Sequence, residues 1–210
     1  MTISYPLTLP TQTGIASVNL HAINSVAISS SPFTYKQQVV AHTGQRWEAE
    51  VSLPPMKRDD AEVWIAFLLS LKGMRGTFLM GDPNCATARG SASSTAGTPV
   101  VFGADQTGET LAIDGLPVSE TGYLLAGDYI QLGGGSSATL HKVLTDVDTN
   151  SGGTATLDIW PSIRTAPADN STVVVANAVG NFRLSTNQSD WSINNASFYG
   201  ITFPAIEVVV

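Results

Sequence analysis

Apolar positions recur along residues 15–28 as Ile15, Val18, Leu20, Ile23, Val26 and Ile28, set among Ser, Asn and Ala, which reads as a strand. Ser31-Pro32-Phe33-Thr34 then opens a strand-rich stretch that Val39-Val40 continues. From Arg46 to Leu53 the alternation is strict. Trp47, Ala49, Val51 and Leu53 share one face while Arg46, Glu48, Glu50 and Ser52 share the other, the period-2 pattern of a half-buried strand. Pro54-Pro55-Met56 stops it, and the period changes. Ala61, Trp64, Ile65, Leu68 and Leu71 follow helical spacing, with Val63, Phe67 and Leu69 widening the stripe. Asp59 and Asp60 suit the positive end of the helix dipole, and Gly73 suits a stop, so one helix is expected over about 58–72, clamped between surfaces. Thr77–Met80 is a short strand closed by the Gly81-Asp82-Pro83 turn.

The pattern shifts at Ala86. Thr87–Pro99 is small, polar and rich in breakers, and reads as a linker or long connection. Beyond it short strands are expected at Val100–Phe102, Thr110–Ile113, Tyr129–Leu132, Leu140–Val147, Thr154–Ile159 and Thr172–Ala176, which suggests a compact β-barrel or small sandwich. After Gly180 come three further strands, at Phe182–Leu184, Trp191–Ile193 and Ser197–Val209, with Pro204 marking a bulge or an edge. These need partners, and the strands of the first half are the candidates. The fold expected is therefore mainly β: an outer sandwich or barrel domain of residues 1–89 and 179–210 with one flanking helix, and a small β-barrel domain of residues 90–178 inserted into it.

Composition narrows the function. Only 13% of the 210 residues are charged, against about 25% in an ordinary soluble domain, which fits a subunit whose surface is covered by neighbours. The net charge of −7 argues against a duplex-binding surface. A single cysteine, Cys85, excludes an intrachain disulfide. No apolar run is long enough for a membrane span, and Met1–Pro10 lacks the features of a signal peptide, so folding in a reducing cytoplasm is expected.

No chemical constellation stands out. His21, His42 and His141 are isolated and lack metal-ligand spacing, so neither a metal nor another cofactor is expected. Cys85 has no recognisable base. Gly133–Ser137 lacks the lysine and the following helix of a phosphate loop and reads as a hairpin loop. Asp146, Asp148 and Asn150 alternate as in the first half of a calcium loop. Ser151 and Leu157 occupy the positions that would need Gly and Glu, so a β-turn is the reading there. Asn170, Asn187 and Asn195 head glycosylation-type triplets that mean nothing without secretion. Tyr123, Tyr129, Trp160 and Trp191 are the aromatics that could stack on sugars, although each is more often core.

Several segments together resemble a known family. They are Ser31-Pro32-Phe33-Thr34, Gln37-Gln38-Val39, Trp47–Glu50, Leu53–Met56, Ala61 through Trp64 to Leu68, Gly81-Asp82-Pro83 and Arg89-Gly90. Gly127–Ile130, Trp160-Pro161, Phe182–Leu184 and Trp191-Ser192 agree with them. The chain resembles the distal tail protein family of long-tailed (siphovirus-type) bacteriophages and gene transfer agents. That resemblance implies a non-enzymatic virion component assembled in the host cytoplasm. It would act as a homo-hexameric ring at the tail tip, joining the tail tube protein to the baseplate hub protein and, beyond it, to a tail fibre or receptor-binding protein. It also implies that the inserted domain is OB-like, and it calls for neither a membrane nor sequence-specific nucleic acid. Trp47, Pro54, Pro55, Trp64, Phe67 and Leu68 are the packing residues expected to hold the fold and the ring. Two rival readings are a carbohydrate-binding tail protein that contacts host glycans through the middle domain, and a glycan hydrolase with a paired-carboxylate cleft.

Overall fold

A computed structural model describes residues 3–11 and 13–209; Met1, Thr2, Gln12 and Val210, all in the expected outer domain, lie outside the described residues. The chain is mainly β, with one α-helix and two multi-stranded sheets among the described residues. Its first half holds β1 (Leu7–Thr8), β2 (Ser17–Ser30), β3 (Gln37–Ser52), α1 (Arg58–Leu71) and β4 (Phe78–Met80). Residues 100–174 hold β5 (Val100–Val101), β6 (Gly108–Asp114), β7 (Tyr129–Leu132), β8 (Thr139–Val143), β9 (Ala155–Ile163) and β10 (Val173–Val174). The last part holds β11 (Gly180–Leu184), β12 (Trp191–Ile193) and β13 (Tyr199–Glu207).

The seven-stranded sheet runs β1-β4-β11-β13-β3-β2, with β12 alongside β13. Strands from the two ends of the chain are thus interleaved: β13 pairs with β3 from Thr202↔Ser52 to Ile206↔Glu48, and β11 pairs with β4. The strict alternation of β3 buries Trp47, Ala49 and Val51 on one face, and α1 covers that face with Ala61, Trp64, Ile65, Phe67, Leu68 and Leu71. An aromatic lattice joins them. Trp64 meets Phe203 at 6.2 Å, Phe67 meets Phe78 edge-on at 5.7 Å, and Phe78 stacks against Phe182 at 6.5 Å. Burying each such side chain contributes about 1.5–3 kcal/mol, so this cluster dominates the stability of the sheet.

The six-stranded sheet, ordered β10-β7-β8-β9-β6-β5, curls nearly into a closed barrel. Its ends meet through the Val100↔Thr172 bridge and the Val173 N–H, which donates to the Pro99 carbonyl at 2.9 Å. Val101, Leu111, Ile113, Ile130, Leu157 and Ile159 fill the interior as a second core.

Several details differ from the sequence reading. Leu69 is 56% exposed, so the helix buries one broad face and is not clamped on both sides. The helix ends at Leu71 and not at Lys72, whose left-handed conformation (φ 54°) turns its N–H back to the Leu69 carbonyl, while Gly73 follows with a left-handed φ of 67°, as expected of a stop. The Thr87–Pro99 stretch is a packed connection. Ala88 and Ala92 enter the barrel core, the Ser91 and Ala92 amides donate to the Gly122 and Tyr123 carbonyls, and the Tyr123 hydroxyl donates to the Ala96 carbonyl. Burial pushes that hydroxyl up to about 12. The eighth strand ends at Val143, short of Val147. Pro204 lies at neither a bulge nor an edge. It sits opposite Glu50, where the other neighbour of β13 changes from β12 (through Ile201) to β11 (from Ala205). A residue with no N–H falls in that gap in the ladder.

Candidate functional site: the arm and its groove

The feature that dominates the surface is the outer half of the β2–β3 hairpin. The inner half belongs to the body, because Val18 and Leu20 pack against the core beside Trp47, Ala49 and Val51. β13 reaches β3 only as far as Glu48, so beyond that point β2 and β3 have only each other among the described strands. Ser25 lies opposite the bulge His42-Thr43-Gly44, after which the ladder resumes from Val26↔Ala41 to Ser30↔Gln37. A bulge adds bend and twist to a ribbon at the point where it occurs. Apart from Ser31, every residue from His21 to Gly44 is exposed.

The tip is a closed turn. The Ser31 amide donates to the Lys36 carbonyl at 3.0 Å and the Tyr35 amide to the Ser31 carbonyl at 2.9 Å, while Tyr35 takes a left-handed φ of 55°. This geometry presents Phe33 at 92% and Tyr35 at 83% exposure. Along the ribbon, Ile28↔Val39 and Val26↔Ala41 are cross-strand pairs on the face that continues from Val18 and Leu20. Ala27↔Val40 lies on the other face. Both faces and both edges of the arm are therefore uncovered among the described residues. Between Ala22 and Gln45 the only Asp, Glu, Lys or Arg is Lys36.

The arm is anchored to the barrel at its root. Trp47 meets Trp160 edge-on at 4.5 Å, and its indole N–H donates to the Leu140 carbonyl at 2.9 Å. The Trp160 N–H donates to Asn24 Oδ1 at 2.8 Å, and the Ser162 amide donates to Gln45 Oε1 at 2.7 Å. Arg164 donates to the Gln45 carbonyl and faces Glu207 at 3.5 Å. Glu207 Oε2 also accepts the Trp47 amide at 3.0 Å, while its buried Oε1 has no partner among the described atoms. Burial pushes the Glu207 carboxyl up, against the pull of the Trp47 amide and Arg164. Between the arm root and the barrel lies a groove of about 1040 Å³, lined by Ile23, Ala41, Glu109, Ile163, Arg164 and Val209 among others.

Of the packing and aromatic residues singled out from sequence, Trp47 and Trp160 lie in the seam at the arm root and the others fall elsewhere. Trp64, Phe67 and Leu68 are buried in the helix–sheet core, where the Trp64 indole donates to Thr13 Oγ1 at 2.9 Å. Trp47 joins that core to the barrel, whereas Pro54 is half-buried and Pro55 exposed. Tyr123 and Tyr129 are buried and unavailable as sugar platforms, and Trp160 is held in the seam. The acidic stretch serves the backbone: Asp146 Oδ1 accepts the Ala126 amide, Asp148 Oδ1 the Gly122 amide, and Asn150 Oδ1 the Gly152 and Thr154 amides. His21 and His42 lie on the exposed arm and His141 is buried in β8. No group of three or more His, Cys, Asp or Glu suited to a metal occurs among the described residues. Cys85 is half-buried, and burial together with Asp82 pushes its thiol up. No helix among the described residues is long and apolar enough to cross a membrane.

Ser31–Thr34, expected to open a strand-rich stretch, instead forms the turn at the tip of the arm. The signal was present: two β-rich runs flank Ser-Pro-Phe-Thr-Tyr-Lys, a turn-forming segment, and the whole stretch is nearly free of charge. No protein-family model matches the chain, and no curated protein sequence matches it.

Proposed function

We propose that the protein is a structural component of a phage tail tip, a homo-hexameric ring adaptor between the tail tube and the baseplate hub, with no catalytic role. The single observation that carries the homo-oligomeric part is the arm, whose apolar residues are uncovered on both faces. Val26, Ile28, Val39 and Val40 are each about half exposed or more, and contiguous apolar surface of this kind marks an interaction site. The free strand edges add unpaired N–H and C=O groups that neighbouring chains can satisfy. The tail assignment rests on the sequence resemblance. The low charge of the chain and its −7 balance suit a ring packed on all sides whose lumen passes DNA without holding it.

The mechanism is geometric. One surface of a subunit meets a different surface of the next, and the rotation between them closes the ring. The anchored root gives the arm a fixed direction relative to the barrel, so the same rotation repeats from subunit to subunit. Light scattering of the purified protein, with class averages of tail particles by electron microscopy, tests this. Six-fold rings are expected. A monomer at high concentration together with tails that lack the protein would sink the reading.

A further inference from the structure

We infer that the tip of the arm, Phe33-Thr34-Tyr35-Lys36, inserts into the groove at the arm root of a second copy of this chain, with Lys36 paired to Glu109 of that groove. The inference rests on the ring-forming reading above and specifies its contact.

Tip and groove match in three respects. In chemistry, the tip offers two aromatic side chains at 92% and 83% exposure, and Ile23, Ala41, Ile163 and Val209 give the groove an apolar lining. In size, the groove of about 1040 Å³ lies at the upper end of the ~300–1,000 Å³ of enclosing pockets. It therefore has room for more than one side chain. Two aromatics bring about 300–500 Å², a large part of the ~800 Å² per partner in a standard interface.

The third match is charge. Lys36 is the arm's only Asp, Glu, Lys or Arg, and among the described residues it has no ion-pair partner. Arg46 and Arg164 at the groove are already engaged, with Glu48 at 2.6 Å and Glu207 at 3.5 Å. Among the described residues, Glu109 is the one acidic side chain lining the groove, and it has no ion pair there. The cation of the tip thus meets the Glu109 carboxylate of the groove.

A second copy is required. Residues 25–30 of the ribbon place the tip about 20 Å from the root, at ~3.4 Å per residue. The groove is lined by the root itself, through Ile23, Ala41 and Gly44. Folding the tip back onto it would break the Val26–Ser30 ladder with β3. Between copies the ladder survives. Tip and groove are different surfaces, so the contact is heterologous and propagates until the rotation closes.

The test uses the full chain with Cys85→Ser to remove the native thiol. F33C/T107C, with Thr107 on the groove wall, is oxidised mildly and run on a non-reducing gel. A ladder of covalent oligomers is expected, whereas each single-cysteine variant stops at a dimer. In parallel, K36E is expected to raise the concentration for half-assembly about tenfold, the effect of losing ~1.4 kcal/mol, and K36E/E109K is expected to restore it. Circular dichroism checks the fold of each variant. Rings by microscopy with no F33C/T107C ladder and no rescue by the charge swap would overturn the tip contact while leaving the ring standing. Absence of any assembly, free or on tails, would overturn both.

Discussion

Lowering the pH from 7 to 4 is expected to destabilise the fold through one residue, His141. It lies in β8, 3% exposed, where Nδ1 is 2.7 Å from the Pro161 carbonyl and Nε2 is 2.9 Å from Thr139 Oγ1. A carbonyl oxygen only accepts, so Nδ1 carries the proton and Nε2 of the neutral ring accepts from the Thr139 hydroxyl. Burial opposes a charge here, and the Arg164 cation adds to the penalty, against the pull of the Pro161 carbonyl. The imidazole is pushed from 6.5 down to about 4. Because a tenfold change in proton affinity is worth ~1.4 kcal/mol, the linkage amounts to about 3 kcal/mol. The sign follows from proton counting. Between pH 6.5 and about 4 the unfolded chain binds a proton that the folded chain does not, so stability falls as pH falls through that window.

The perturbation is His141→Asn, which keeps a donor for Pro161 but does not titrate. Urea unfolding of both proteins at pH 7, 5.5 and 4 gives the difference between them. The variant is expected to be less stable at pH 7 by about 1 kcal/mol for the lost Thr139 contact, and to lose roughly 3 kcal/mol less than the native chain on going to pH 4. Glu207, pushed up by burial, has the opposite sign, gaining stability as pH falls. It is present in both proteins and cancels in the difference. A difference that stays constant across the three pH values would refute the reasoning.

Trp47→Ala is expected to cost about 3–5 kcal/mol in chemical denaturation, because it removes the Trp160 contact, the bond to Leu140 and part of the core at once. Gly90→Ala would drive a Cβ into the Gly122 and Tyr123 carbonyl oxygens. Lower thermal stability is expected, by about 1–3 kcal/mol, and an unchanged melting temperature would show that the 87–99 connection is not packed as described. Added calcium is expected to leave the melting temperature unchanged, since Asp146 and Asp148 hold the Ala126 and Gly122 amides. A rise of several degrees would contradict that. Phe33→Ala with Tyr35→Ala is expected to leave the monomer's unfolding free energy within ~0.5 kcal/mol, because neither side chain is covered.

What could be read from sequence was what local periodicity encodes. The alternation over 46–53 and the helical spacing over 61–71 each named the buried face, because a side chain's direction follows from 2.0 or 3.6 residues per repeat. Periodicity says which way a residue points but not whether anything lies there. Val26 and Ile28 keep the parity of Val18 and Leu20, yet the first pair stands in solvent. Leu69 failed for the same reason. The seam was illegible for a different one. Gln45, Trp47, Trp160, Arg164 and Glu207 are spread along the chain, and none carries a local sign of its partner. At 146 and 148 the spacing alone was ambiguous, since alternation suited to a cation also suits capping two amides of a facing loop; Ser151 and Leu157 tipped the reading away from a cation.

The pairing of β4 with β11, Met80 opposite Gly180, has a consequence for how such a chain can vary. The segment from Gly81 to Val179 leaves and returns on hydrogen-bonded neighbours about 4.8 Å apart, the spacing a hairpin turn spans. The barrel is thus a graft on what could be a simple loop, and another module could be exchanged for it without re-registering the sheet beneath. The graft is not free of its stock, however. Tyr129 and Leu140 belong to the core around Trp47, so any replacement must also supply an apolar cap for that indole and a carbonyl for its N–H.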